Sequence, residues 1–179
     1  DTILASGVPA ARRERAQRDL FASSSCGICG KASIDRIFQS WSPLPPRSPP
    51  DPSVILSLPE RLRGAQAVFR ATGGLHAAAL FDENGVLDVL REDIGRHNAV
   101  DKVVGHRLRE DRIPCDETIL LVSGRAGFEI IQKALVARIP VVAAMGAPTS
   151  LAVSLAARAG MILIGFLRSD AYNVYDCAG

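Results

Sequence analysis

The apolar positions of the chain are sparse at first and become periodic near residue 57. Leu62, Ala65 and Phe69 recur at helical spacing behind Pro59, a residue suited to the first turn of a helix, and Gly73-Gly74 supplies a stop. LHAAALF and VLDVLRED then flank Asp82-Glu83-Asn84-Gly85. Asn-Gly between two apolar runs predicts a β-hairpin. The stretch IGRHNAVDKVVGHRL reads as a loop entering a helix whose apolar face is Val100, Val103, Val104 and Leu108.

The second half alternates between two periods. TILLVSG, IPVVAAM and MILIGFL are short buried strands; GFEIIQKALVAR and APTSLAVSLAARAG are helices. In the first helix Phe128, Ile131 and Leu135 point inward and Glu129 pairs with Lys133 outside. Thr149 or Ser150 caps the second. Two consecutive strand–helix–strand units predict parallel strands with right-handed crossovers. Together with the hairpin they predict an α/β fold: a mixed sheet with a parallel βαβαβ C-terminal half. The longest apolar tract, Ile139–Leu167, is broken by Gly146, Pro148, Thr149, Ser150 and Arg158, which favours a buried core over a membrane span.

Upstream, prolines 43, 45, 46, 49, 50 and 52 exclude helix interior and central strand. This stretch reads as an extended connector, polyproline-like in places, with Trp41 placed to anchor it to the body. Before it, Arg12, Arg13, Glu14, Arg15 and Arg18 line a solvated helix. The expected organisation is an N-terminal segment, residues 1–56, with a mobile Cys-x-x-Cys loop and the Pro-rich connector, followed by an α/β domain over 57–179. A net charge of +2 implies no strong attraction to nucleic acid or membrane. Four cysteines are too few, at this size, for a secreted disulfide scaffold, so reduced thiols and a cytoplasmic setting are expected. The chain opens on Asp1 with no uninterrupted apolar run, which reads as a piece of a longer protein without a signal peptide.

Ligands of open α/β sheets gather at the carboxyl ends of the strands. Here those ends are Ser123-Gly124-Arg125, Gly146-Ala147-Pro148-Thr149-Ser150 and Phe166-Leu167-Arg168-Ser169-Asp170. Small residues after a strand are ordinary turn chemistry. Three such loops on one rim, two with arginines and two leading into helix N-termini, suit an anion such as a nucleotide phosphate. Neither a Gly-x-Gly-x-x-Gly nor a Walker A loop is present, so a dinucleotide dehydrogenase and a P-loop ATPase find no support. In EDIGRHNAVDK, Asp93 or Asn98 is placed to cap the helix, and Arg96 and His97 at its mouth add anion-binding donors.

Cys26 and Cys29 in SSSCGICGK leave three chemistries open: half of a zinc site, a redox pair, or a sulfur-carrying nucleophile. Cys115, Cys177 and the three histidines are scattered and form no second close pair, and the His-x-Glu…Pro-Cys-x-x-Cys pattern of zinc deaminases is absent. Flanking glycines keep the loop sterically open, and Lys31 favours the thiolate.

The blocks SSCGICGKASI, TGGLHAAALF, REDIGRHNAVDKVVG, SGRAGFEIIQKA, GAPTSLAV and GFLRSDAYNVY, in this order, closely resemble the formate dehydrogenase accessory sulfurtransferase family, FdhD. The resemblance runs from Ser24 to Tyr175. It implies a cytidine deaminase-like α/β fold without the zinc motif. It also implies a sulfurtransferase: sulfur is taken as a persulfide from a cysteine desulfurase and passed to bis-molybdopterin guanine dinucleotide, the molybdenum cofactor of formate dehydrogenase. By the same resemblance Cys26 carries the persulfide, Cys29 is its partner, and Phe166, Leu167, Arg168, Ser169, Asp170 and Ala171 bind the cofactor, for which a guanine nucleotide is a mimic. Arg125, Thr149, Ser150, Arg96 and His97 join them from the rim reading. A homodimer is implied as well. One departure concerns Ala126-Gly127, where the family often has a hydroxyl residue. The alternative is a molybdenum-cofactor-binding chaperone, or a zinc-binding protein, without sulfur transfer.

Overall fold

The computed structural model of the chain describes residues 41–175. Six strands form one sheet in the order β2-β1-β3-β4-β5-β6: β1 (His76–Asp82), β2 (Leu87–Asp93), β3 (Thr118–Val122), β4 (Val141–Ala144), β5 (Ile162–Gly165) and β6 (Asn173–Tyr175). The predicted hairpin pairs β1 with β2, held by an Asx turn in which the Asp82 carboxylate accepts from the N–H groups of Asn84 at 2.9 Å and Val86 at 2.8 Å. β3, β4 and β5 are parallel, as the alternation of strands and helices predicts, and β1 joins β3 antiparallel. β6, antiparallel to β5, is an addition. Three residues, half-exposed, carry too little periodicity to announce a strand.

Every residue of β3 and β4 is buried, as expected of central strands covered on both faces. On one face Ala78, Leu80, Leu120, Val122, Val142 and Leu163 meet α3 (Arg96–Arg109), α4 (Phe128–Val136) and α5 (Ser150–Ala159). On the other, Ala77, Ala79, Phe81, Ile119 and Leu121 meet Ile55, Leu58 and Leu62 of α1 (Pro52–Ala65). Full burial of one Leu or Ile contributes about 1.5–3 kcal/mol relative to exposure, so each face is stabilised by several such terms.

Four local expectations are corrected. The helix expected from Pro59 begins at Pro52, where Asp51 caps it by accepting from Ser53 N–H at 2.7 Å, and Pro59 lies inside it, so residues 56 and 57 fall within α1. The helix also breaks at Gln66 before α2 (Ala67–Thr72). The break turns Phe69 out of the face of Leu62, leaving it 40% exposed. On α3, Leu108 is exposed and Arg107 is buried instead, because Asp88 on β2 offers its guanidinium a carboxylate at 3.0 Å. Glu129 and Lys133 do not pair along α4; they reach across to α3, Glu129 toward His97 and Lys133 onto Asp101.

The connector over 41–51 has no regular structure, in keeping with its prolines. Leu44 anchors it, whereas Trp41 is exposed. Leu44 N–H donates to Ala159 O at 2.8 Å, at the end of α5, and its side chain enters the core. Arg138 donates to Ser42 O at 3.1 Å, and Arg47 donates to Asp116 O at 2.8 Å and pairs with Glu83.

Candidate functional site

Parallel β3, β4 and β5 bring their carboxyl ends to one rim, and β2, parallel to them through β1, ends there too. α3, α4 and α5 all start at this rim. The loops after the strands are bonded into one surface. Met145 N–H donates to Val122 O at 3.1 Å, Gly146 N–H to Gly124 O at 3.0 Å, Phe166 N–H to Gly146 O at 3.1 Å and Thr149 N–H to Ala126 O at 3.0 Å. Glycine at 146 permits this closeness, since a Cβ there would lie 3.1 Å from both the Arg125 backbone nitrogen and the Gly124 carbonyl carbon.

Phe166 ends β5 with φ +53°, a left-handed conformation that costs a non-glycine residue about 1–2 kcal/mol. Bonds from Phe166 N–H to Gly146 O and from Leu167 N–H to Ala144 O, at 3.0 Å, hold it there. The bend buries Leu167 and leaves the Phe166 ring 41% exposed on the rim. Beyond it Arg168 N–H donates to Ala171 O at 2.9 Å, closing a short loop in which Arg168, Ser169, Asp170 and Ala171 are all exposed.

The helix mouths differ. Thr149 caps α5 by accepting from Ala152 N–H at 3.2 Å, and Ser150 is the first helical residue. Gly95 and Gly127, at the N-caps of α3 and α4, supply no side-chain cap. Asp93 does not cap α3 itself; it accepts from Gly95 N–H at 2.8 Å and Asn98 Nδ2 at 3.1 Å and pairs with Lys102 at 2.5 Å. The Lys102 bond, then those of Gly95 and Asn98, lower its carboxyl to about 2. Glu129, in the first turn of α4, already sets a negative charge at that mouth. Its Oε2 lies 3.2 Å from His97 Nε2, out of line for a hydrogen bond. Burial pushes the His97 imidazole below the usual histidine range, Glu129 opposes this, and Arg96 and Lys133 add to it.

Arg125, Thr149, Ser150, Phe166, Arg96 and His97 thus share one rim. The guanidinium groups of Arg96, Arg125 and Arg168 make no hydrogen bond or ion pair with any described residue. By contrast Arg47, Arg61, Arg70, Arg107, Arg112 and Arg138 are bonded to backbone or carboxylate. Cys26 and Cys29 lie outside the described residues. The rim also holds His76, the first residue of β1, and Glu129, neither of which the sequence reading places there; the antiparallel register of the hairpin is the signal that brings His76 to it. A cleft of about 480 Å³ opens elsewhere, between Leu44, Pro46, Arg47, Glu117 and Arg138. Its two arginines are already engaged, so the rim is the better candidate for an anionic ligand.

Comparison with known proteins agrees with the resemblance read from the sequence. The FdhD/NarQ family matches residues 3–179. Sulfur carrier protein FdhD of Streptomyces avermitilis is 55% identical over 162 residues, covering 89% of this chain and 57% of that protein. Its namesake from Sulfurisphaera tokodaii is 49% identical over 158 residues, covering 88% and 60%. The crystal structure of a protein from Desulfotalea psychrophila, described as a formate dehydrogenase accessory protein, superposes with a TM-score of 0.70 at 29% identity, covering 80% of this chain and 60% of that one. The chain therefore spans roughly three-fifths of the length of these relatives. With blocks of like sequence on a like fold, it belongs to the FdhD/NarQ family.

Proposed function

We propose that this chain is the cysteine-bearing and cofactor-binding part of a cytoplasmic sulfur carrier that serves formate dehydrogenase. The observation that carries the reading is the rim itself: three guanidinium groups, those of Arg96, Arg125 and Arg168, without a described partner. Such a surface suits the diphosphates of a guanine nucleotide, and bis-molybdopterin guanine dinucleotide carries them. The relatives' shared name, sulfur carrier protein, supports the rest.

In this reading the Cys26 thiolate attacks the outer sulfur of a cysteine desulfurase persulfide. The donor's S–S bond breaks, and the donor cysteine leaves as a thiolate. The rim holds the molybdenum cofactor as the accepting substrate, with Phe166–Ala171, Arg125, Thr149, Ser150, Arg96 and His97 around it, and Cys29 assists release of the sulfur. The organisation is an N-terminal cysteine segment joined to an α/β domain of cytidine deaminase-like architecture without the zinc motif, and the working form is a homodimer.

Mass spectrometry after incubation with a desulfurase and cysteine is the direct test. Wild type gains one sulfur on Cys26 and Cys26→Ala gains none at that position. Full activation of formate dehydrogenase by Cys26→Ala would instead favour a carrier that presents the cofactor without transferring sulfur.

A further inference from the structure

Gly124 is a point of close approach for two side chains. A Cβ there would lie 3.3 Å from His76 Nδ1, 3.5 Å from His76 Cε1 and 3.6 Å from Arg96 Cδ. The approach is fixed from both sides. Ala77 N–H donates to Ser123 Oγ at 2.9 Å and Ser123 N–H to Ala77 O at 3.0 Å, which locks the start of β1 to the loop after β3. Strand alternation places His76 in phase with Ala78 and Leu80, on the face that α3 covers. Arg96 is the first residue of α3.

Both side chains are without a partner. Arg96 Nε is buried with no hydrogen bond, and neither Arg96 nor His76 pairs with a described residue. The other two histidines face carboxylates, His97 toward Glu129 and His106 toward Glu110 at 3.3 Å. Of the acids of this corner, Asp93 is engaged by Lys102, Gly95 and Asn98, and Glu129 faces His97 at 3.2 Å. The atoms nearest a Cβ at 124 belong to an imidazole and an arginine, not to a carboxylate. The edge of a purine presents donors and acceptors together, and a guanidinium can satisfy only acceptors. A phosphoryl oxygen presents acceptors alone.

We propose that His76 is a specificity-determining residue of the rim, donating with Arg96 to a phosphoryl group of the bound nucleotide, and that the missing side chain of Gly124 leaves room for the His76 ring. This rests on the reading of the rim as a nucleotide-bearing site. His76 thereby selects for the phosphate rather than for the base.

The test is calorimetric titration of GDP and of guanosine into wild type, His76→Ala, His76→Gln and Gly124→Ala. His76→Ala weakens GDP about tenfold, as expected for loss of one hydrogen bond to a charged group, and leaves guanosine unchanged. His76→Gln, which keeps an N–H donor, regains most of the affinity. Gly124→Ala keeps both side chains but crowds the His76 ring, whose Nδ1 would lie 3.3 Å from the new Cβ, and gives a GDP-selective loss of the same sign. Wild-type affinity for GDP in His76→Ala overturns the proposal, as does an equal loss for GDP and guanosine. A wild type that binds neither compound removes the nucleotide reading of the rim, and the role of His76 with it; unchanged GDP binding in His76→Ala removes that role alone.

Discussion

His97 on α3 and Glu129 on α4 meet across two helices, with Nε2 and Oε2 3.2 Å apart, and the imidazole is nevertheless held in its neutral form by burial. The folded-state pKa lies below the unfolded one. The neutral group therefore contributes stability that is fully present above the unfolded value of about 6.5 and is lost as pH falls through the folded value. Urea midpoints drop between pH 7.5 and pH 5.5, and His97→Gln flattens that slope. A slope unchanged by His97→Gln would assign it to other groups. NMR titration of the imidazole in Glu129→Gln shows a further lowering, because the one carboxylate in contact with it is gone.

Asp93 titrates on the acid side. Its carboxyl, held at about 2 by Lys102, Gly95 and Asn98, contributes stability present above the ordinary carboxylate pKa and lost as pH falls through the folded value. Acid denaturation followed by circular dichroism in Asp93→Asn is shallower between pH 4 and pH 2 than in wild type. Identical curves would separate Asp93 from acid stability.

Gly160 and the helix glycines respond oppositely to alanine. Gly160 sits at φ +68°, and a Cβ there would lie 2.8 Å from Leu44 O. Gly160→Ala therefore destabilises by about 1–2 kcal/mol through backbone strain, and by more where Leu44 is displaced. Gly64 on α1 and Gly105 on α3 have open space around a new Cβ. Gly64→Ala and Gly105→Ala stabilise by about 0.5–1 kcal/mol. Chemical denaturation of the three variants checks both signs.

Arg125 and Arg168 test the rim without touching the core. Both are exposed. Each alanine variant weakens GDP about tenfold, the scale of a lost charge-assisted hydrogen bond, at an unchanged melting temperature. Unaltered GDP affinity in the double variant would count against a phosphate held between the two loops.

Much of this architecture is legible because local and global signals agree. ILLV within TILLVSG, and IPVVAAM, are apolar runs, and they form central strands buried on both faces. The Asn84-Gly85 turn announces β1 and β2, and Thr149 announces the start of α5. What escapes has physical causes. Asp51 outcompetes Pro59 as a helix start because its carboxylate reaches Ser53 N–H, and Pro59 is tolerated within the helix it was expected to open. Arg107 is buried because a carboxylate on the preceding strand, Asp88 of β2, meets it, and no periodicity within α3 encodes that meeting. For the rim, Arg96, His97, Arg125, Thr149 and Phe166 fall where parallel strands put them. His76 arrives through the register of the hairpin, opposite Asp93, which the Asn84-Gly85 turn announces only as a pairing of two strands and not as a place on the rim.

The anchoring of Leu44 also sets a leash. Fourteen residues lie between it and Cys29, so the second thiol can stand no farther than about 50 Å from that fixed point, the contour length of the fifteen Cα–Cα steps. A folded body the size of residues 41–175 has a radius of gyration of about 14 Å, so the tether is long enough to travel from the C-terminal end of α5 around to the rim of its own chain. Shortening the stretch between Cys29 and Leu44, one residue at a time, would draw that radius in, and under the proposed function the length at which delivery within one chain stops would measure the path from thiol to rim.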